Sequence, residues 1–154
     1  MNVRTFALIY GIVFLLVGIL GFVPGINQPP PANHGLHVTD PGHGMLLGLF
    51  HVNVLHNAVH LLFGVWGLIA YRSFPGARMY AQGVAIIYFV LAVAGLVPGL
   101  NTMFGLVPIE GNDVWLHFLL VLPAAYFGFM AQHVQDSAMT TDATNSAGTT
   151  RRTA

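Results

Sequence analysis

The chain has 154 residues, of which 55% are hydrophobic and 6% charged, and its mean hydropathy is +0.70. About a quarter of a water-soluble domain is charged, so this composition lacks the polar surface to cover a globule and excludes a soluble enzyme as a first reading. Five Arg, no Lys and five acids sum to zero formal charge, which leaves no basic field for nucleic acid; the partner implied is the lipid bilayer.

A helix needs about 20 mostly apolar residues to cross a hydrocarbon layer about 30 Å thick. Four uncharged runs of about that length occur, at Thr5–Val23, Val54–Tyr71, Met79–Val97 and Val114–Ala131. The expected fold is therefore an all-α integral membrane protein, a bundle of four transmembrane helices occupying residues 1–132. The first run ends in Phe22-Val23-Pro24-Gly25, not in the small-x-small pattern of a cleaved leader, and is read as a retained span. Residues 24–53 form a long connection on one side. Residues 133–154 are rich in Thr, Ala and Ser without an apolar period and read as a solvated, disordered tail.

Charge orients the plan. Arg4, Arg72, Arg78, Arg151 and Arg152 all fall on one side of the four spans, while Asp40, Glu110 and Asp113 lie in the two opposite connections. The positive-inside rule then predicts that both termini are cytoplasmic and that the 24–53 loop is outside, in a bacterial cytoplasmic (inner) membrane.

The first half of the chain can be laid on the second. At an offset of 74, Phe22-Val23-Pro24-Gly25 falls on Leu96-Val97-Pro98-Gly99, and Ala7, Gly11, Gly18 and Gly21 fall on Ala81, Ala85, Ala92 and Gly95. After the outer loop the offset is 57, which places Gly48-Leu49 on Gly105-Leu106, Val52 on Ile109, and His56 and His60 on Asp113 and His117. Two parallel helical-hairpin repeats are predicted, related by a pseudo-two-fold axis along the membrane normal.

Eight His against five Arg is the unusual ratio of this chain. His56 and His60 share one helix face a turn apart, and Asp113 and His117 have the same spacing. The repeat brings these four groups together from helices 2 and 4 near the outer end. His56, His60, Asp113 and His117 are candidate ligands for a transition metal (zinc, copper, iron or manganese) in a redox or sensing role, with Asn57 orienting an imidazole. His60 and His117 could alternatively be the axial ligands of haem b, although the small residues of helices 1 and 3 leave little room for a porphyrin.

Two non-metal readings stand beside these. The same side chains can be interhelical polar contacts and helix caps in a non-catalytic accessory protein, with Asn53 and Asp113 capping helices 2 and 4. They can also line a proton or solute pathway in a homo-oligomer or beside another membrane protein. No phosphate loop, Ser or Cys nucleophile or close carboxylate pair is present, so nucleophilic hydrolysis has no support.

In the outer loop, His34, His37, His43 and His51 can collect metal, and Leu46–Phe50 is expected to lie flat at the membrane surface. His133 reads as a solvated helix-end residue, Tyr71, Tyr80 and Trp115 as interfacial anchors, and Trp66 as packed more deeply.

Val23-Pro24-Gly25, Leu55-His56-Asn57-Ala58-Val59-His60-Leu61-Leu62-Phe63-Gly64, Val97-Pro98-Gly99 and Asp113-Val114-Trp115-Leu116-His117 together resemble the bacterial membrane family catalogued as domain of unknown function 4383. The resemblance covers roughly residues 4–130. It implies a four-span bacterial inner-membrane protein, distantly similar to the DoxX-like group, and brings no established activity or catalytic residue. The His34–His51 loop reads as an insertion outside the shared pattern.

Overall fold

A computed structural model describes residues 1–31 and 42–131, so His34, His37, Asp40, His133, Arg151, Arg152 and the predicted tail lie outside the described residues. The chain runs α1 (Val3–Leu20), β1 (Asn27–Gln28), β2 (Gly44–Leu46), β3 (Phe50–Val52), α2 (Val54–Ala70), α3 (Phe74–Gly95) and α4 (Asn112–Ala125), and α4 continues as a π-helical turn, Tyr126–Met130. Val3–Leu20, Phe74–Gly95 and Asn112–Met130 are long and apolar enough to cross a membrane. At 17 residues α2 is shorter, about 26 Å at 1.5 Å per residue.

Helix starts follow local chemistry. Asn2, Asn53 and Ser73 cap α1, α2 and α3 by accepting from backbone N–H groups three residues on, at 2.9, 2.8 and 3.1 Å. Pro75 occupies the first turn of α3, where no intrahelical N–H is needed, so α3 starts five residues before the predicted Met79. Helix α4 departs from expectation. Its N-cap is Gly111 at φ +60°, and Asp113 lies within the first turn, where a carboxylate suits the helix dipole but is not the cap.

The connection between α1 and α2 also differs from the flat apolar segment expected over Leu46–Phe50. Strands β1, β2 and β3 form a small antiparallel sheet in that order, with Leu46 opposite Phe50 and Gly44 opposite Val52. Leu47 (φ 56°) and Gly48 (φ 70°) turn the chain in the left-handed region. Pairing satisfies the backbone, and alternation buries Gly44, Leu46 and Val52 while leaving Leu47 and Leu49 exposed.

Helices pack chiefly as α1 on α2 and α3 on α4, and the two hairpins meet through α1–α3 and α2–α3 contacts. Backbones touch in the first pair: a Cβ on Gly67 would lie 2.7 Å from Gly11 Cα. Toward the end that carries Arg4 and Arg78, the core is aromatic and small. Phe6 stacks on Phe127 with ring centres 5.2 Å apart, and Trp66 meets Tyr80 edge-on at 5.0 Å, among Ala77, Ala81 and Ala124. Arg4 Nε donates to Tyr71 O at 2.8 Å, and Arg78 Nε and Gln82 Nε2 donate to Gly128 O at 3.2 and 3.0 Å.

The aligned segments of the two halves share local geometry. Gly25 and Gly99 have φ +88° and +89°, Leu47 and Phe104 have 56° and 61°, and Gly48 and Gly105 have +70° and +85°. Asn27 N–H donates to Val23 O, and Asn101 N–H donates to Val97 O. Across the halves, Asn53 Nδ2 donates to Leu106 O at 2.6 Å and Asn112 Nδ2 to Leu49 O at 3.1 Å, each Asn beginning a helix and each Leu at an aligned position.

Candidate functional site

Burying a polar side chain without a partner costs stability, so the places where this chain does so are informative. Among the described residues, the buried polar and charged side chains are Asn53, His56, Asn57, His60, Asp113 and His117. All belong to the first two turns of α2 and α4 or the residue before α2, at the end opposite Arg4 and Arg78.

The three imidazoles come together. The His56 and His60 rings are 4.6 Å apart between centres and lie nearly parallel, and His117 is 6.3 Å from His56. Phe14 of α1 stacks over His60 at 5.8 Å, and Tyr88 of α3 meets His117 edge-on at 4.9 Å. His56 is fixed from outside the helix: its Nδ1 lies 3.1 Å from the carbonyl oxygen of His51. A carbonyl only accepts, so Nδ1 carries the proton and Nε2 of the neutral ring is the free lone pair. Nδ1 of His60 and Nδ1 of His117 are buried without a hydrogen-bond partner.

Asp113 is directed elsewhere. Its Oδ2 accepts from the backbone N–H of His51 at 2.9 Å, tying the end of β3 to the start of α4. Asn53, beyond its cap, binds Leu106 O as described. Asn57 is 1% exposed, its Oδ1 has no partner, and a Cβ added at Gly21 would strike that side chain. Beside the sheet, His43 Nε2, just before β2, and His51 Nδ1 of β3 lie 3.3 Å apart. Among the described residues no group of three or more His, Asp and Glu side chains is arranged to hold a metal ion, so the four-ligand set expected from sequence finds no support in this geometry.

The spacing of His and Asp did not reveal a cavity of about 330 Å³ beside the imidazoles, in the seam between α2 and α3 and under the turn before α4. His56, His60 and His117 line it together with Phe63, Tyr88 and Leu91, and its wall is almost entirely carbon. Its rim includes Met103 and Phe104, two consecutive non-glycine residues at φ 45° and 61°. Such conformations cost roughly 1–2 kcal/mol each and tend to mark functional segments. No local pattern announces these lining residues, because the cavity is made by elements distant in sequence.

A site of this size with apolar walls and a few polar groups has the form of a small-molecule pocket. No curated protein and no solved structure matches the chain. The profile described as "Domain of unknown function (DUF4383)" matches residues 4–130, a span that takes in all four helices and the histidine group. The chain therefore belongs to the DUF4383 family.

Proposed function

We propose that this chain is a four-span membrane protein whose role is to bind a small molecule inside the bilayer, at the cavity floored by His56, His60 and His117, for sensing or as an accessory to another membrane protein. One observation carries the proposal: a preformed apolar cavity of about 330 Å³ is lined by the buried imidazole rings of His56, His60 and His117. Enclosed cavities of this size with apolar walls and a few convergent polar residues are the usual form of a small-molecule site.

The proposed architecture is two parallel hairpin repeats, α1–α2 and α3–α4, in one bundle. Matching φ values at Gly25 and Gly99, at Leu47 and Phe104 and at Gly48 and Gly105 support a duplication. Helix α2 is the short span; a bilayer meets a deficit of a few Å by local thinning at modest cost. Arg4, Arg72 and Arg78 at one end favour cytoplasmic termini and a bacterial inner-membrane setting, with residues 1–132 as the membrane domain and 133–154 as a cytoplasmic tail.

A transition metal at the same place is the second reading. It is favoured by the His56 Nδ1–H bond to a backbone carbonyl, the arrangement that orients a ligating imidazole. Here His56, His60 and His117 are the nitrogen donors, and Asp113 joins them only by leaving the His51 N–H.

Both readings are tested on purified protein in lipid nanodiscs by native mass spectrometry, elemental analysis and an absorption spectrum. The expected result is a co-purifying organic mass that is lost when Leu91→Trp fills the cavity. Stoichiometric metal or a Soret band, removed by the His60→Ala, His117→Ala pair and not by Leu91→Trp, would replace the proposal with the metal or haem reading. Protein free of any bound species, with the His pair variant losing only thermal stability, would leave the histidines as packing groups.

A further inference from the structure

The β2–β3 hairpin carries metal-binding side chains that play no part in the cavity. Its register pairs Met45 with His51 and Gly44 with Val52, so alternation puts Met45 and His51 on one face and Gly44 and Val52 on the other. The second face is buried, and Met45 and His51 on the first are half-buried, as is His43 just before β2. Side chains of aromatic size reach diagonally across an antiparallel pair, and His43 Nε2 meets His51 Nδ1 in this way at 3.3 Å.

The two imidazoles face each other through nitrogen. Their ring centres are 5.5 Å apart with the nitrogens at 3.3 Å, an edge-to-edge approach, whereas His56 and His60 stack at 4.6 Å. A hydrogen bond between the rings shares one proton; a cation takes the lone pairs of both. Two imidazole nitrogens each about 2.0–2.1 Å from one tetrahedral ion stand about 3.3–3.4 Å apart, the separation already present. His51 is also held ready. Its N–H donates to Asp113 Oδ2 and its carbonyl accepts from His56 Nδ1, so its backbone is fixed without use of the ring. A donor fixed beforehand loses little freedom on binding.

Met45 selects the ion. It stands directly across from His51 and two residues from His43, which adds a thioether to the face that carries both imidazoles. Thioether with imidazole suits copper, cuprous copper above all, whereas zinc takes thiolate, imidazole and carboxylate. The carboxylates among the described residues are committed elsewhere, Asp113 to the His51 N–H and Glu110 to Asn101 Nδ2 at 3.0 Å, which disfavours the harder cations. We propose that the β2–β3 hairpin is a copper-binding site, with His43 Nε2 and His51 Nδ1 as nitrogen donors and Met45 as the thioether, and that it holds Cu⁺ more tightly than Zn²⁺. The site does not depend on what the cavity binds. It is joined to the cavity through His51, whose carbonyl orients His56 in the cavity wall.

The test uses the full chain in phospholipid nanodiscs, stripped of metal by a chelator. Cu⁺ is titrated in ascorbate against a chromogenic cuprous chelator, and Zn²⁺ is titrated in parallel. A single equivalent of Cu⁺ should bind. His43→Gln and His51→Gln, which keep a polar side chain, should each weaken Cu⁺ binding by about tenfold or more, since losing even a residue that only orients a ligand costs about that much. Met45→Leu should weaken Cu⁺ by about tenfold or more and change Zn²⁺ by less than about twofold. Melting temperatures identify the variants that fold, and His43→Ala, outside the strands, replaces a Gln variant that does not. The His60→Ala, His117→Ala pair should bind Cu⁺ as the wild type does. Copper retained in both Gln variants overturns the inference, and copper lost instead in the His60→Ala, His117→Ala pair moves the metal to the buried imidazoles. Equal affinity for Cu⁺ and Zn²⁺, or wild-type Cu⁺ affinity in Met45→Leu, overturns it as well.

Discussion

Asn53 joins the two halves of the chain through one side chain, since Oδ1 caps α2 while Nδ2 holds Leu106 O. Asn53→Ala should destabilise the protein by about 2 kcal/mol, a lost cap plus an unpaired carbonyl, and Asn53→Ser, which keeps a capping oxygen, by about half as much. Equilibrium unfolding in mixed micelles measures both. Asp113 gives a sharper test, because its bond to the His51 N–H assigns it a structural role. In Asp113→Ala, hydrogen exchange at the His51 amide should accelerate about tenfold or more, while Asp113→Asn, which still offers a carbonyl oxygen, should change it little. Loss of bound metal in Asp113→Asn would instead restore the residue to a ligand set. The spacing of His56 and His60 made their pairing legible before any coordinates, because helical periodicity places residues four apart on one face, and His117 was drawn to them by aligning the two halves. The partner of Asp113 was not legible: the His51 N–H is 62 residues away, and only the β3 strand brings it there.

At the scale of elements, the closeness of α1 and α2 depends on having no side chain where Gly11 meets Gly67. Gly67→Leu should cost roughly 1–3 kcal/mol through overpacking and should disturb the His56–His60 face on the same helix. A lower melting temperature together with loss of the co-purifying mass checks this. Apolar run length found the helices, but it did not find the change of helix type at the end of α4. Pro123 lacks the N–H that Leu119 O would accept, and the following turn widens to a π-helix over Tyr126–Met130. Arg78 and Gln82 meet Gly128 O there, so Gln82→Leu should loosen that last turn by about 1 kcal/mol, seen as faster amide exchange confined to it. The small sheet was missed because Leu46–Phe50 is as apolar as an interfacial helix would be, and the strand pairing that decides the matter comes from Asn27 and Gln28 beyond the loop.

For the whole molecule, paired segments at two offsets suggested a duplication in the sequence, which stays a proposal, whereas the α2–α3 seam left no mark there. The polar centre is shared between the halves: Asn53, His56, Asn57 and His60 come from the first hairpin, Asp113 and His117 from the second. In the proposed four-span arrangement this has a consequence for biosynthesis. Translation proceeds at about 5–20 residues per second, so the first hairpin enters the bilayer several seconds before α4 exists to cover its polar face. During that interval the nascent hairpin presents amide and imidazole groups to hydrocarbon, the signature by which an unfinished membrane protein is recognised. A chain stopped after Val97 should be degraded quickly in cells and be rescued by co-expressing residues 98–131 as a separate peptide, whereas the same truncation with Asn57→Leu and His60→Leu should persist unaided. Pulse-chase decay of the fragments decides it, and equal half-lives for the two truncations would show that assembly of the polar centre is not what completes the molecule.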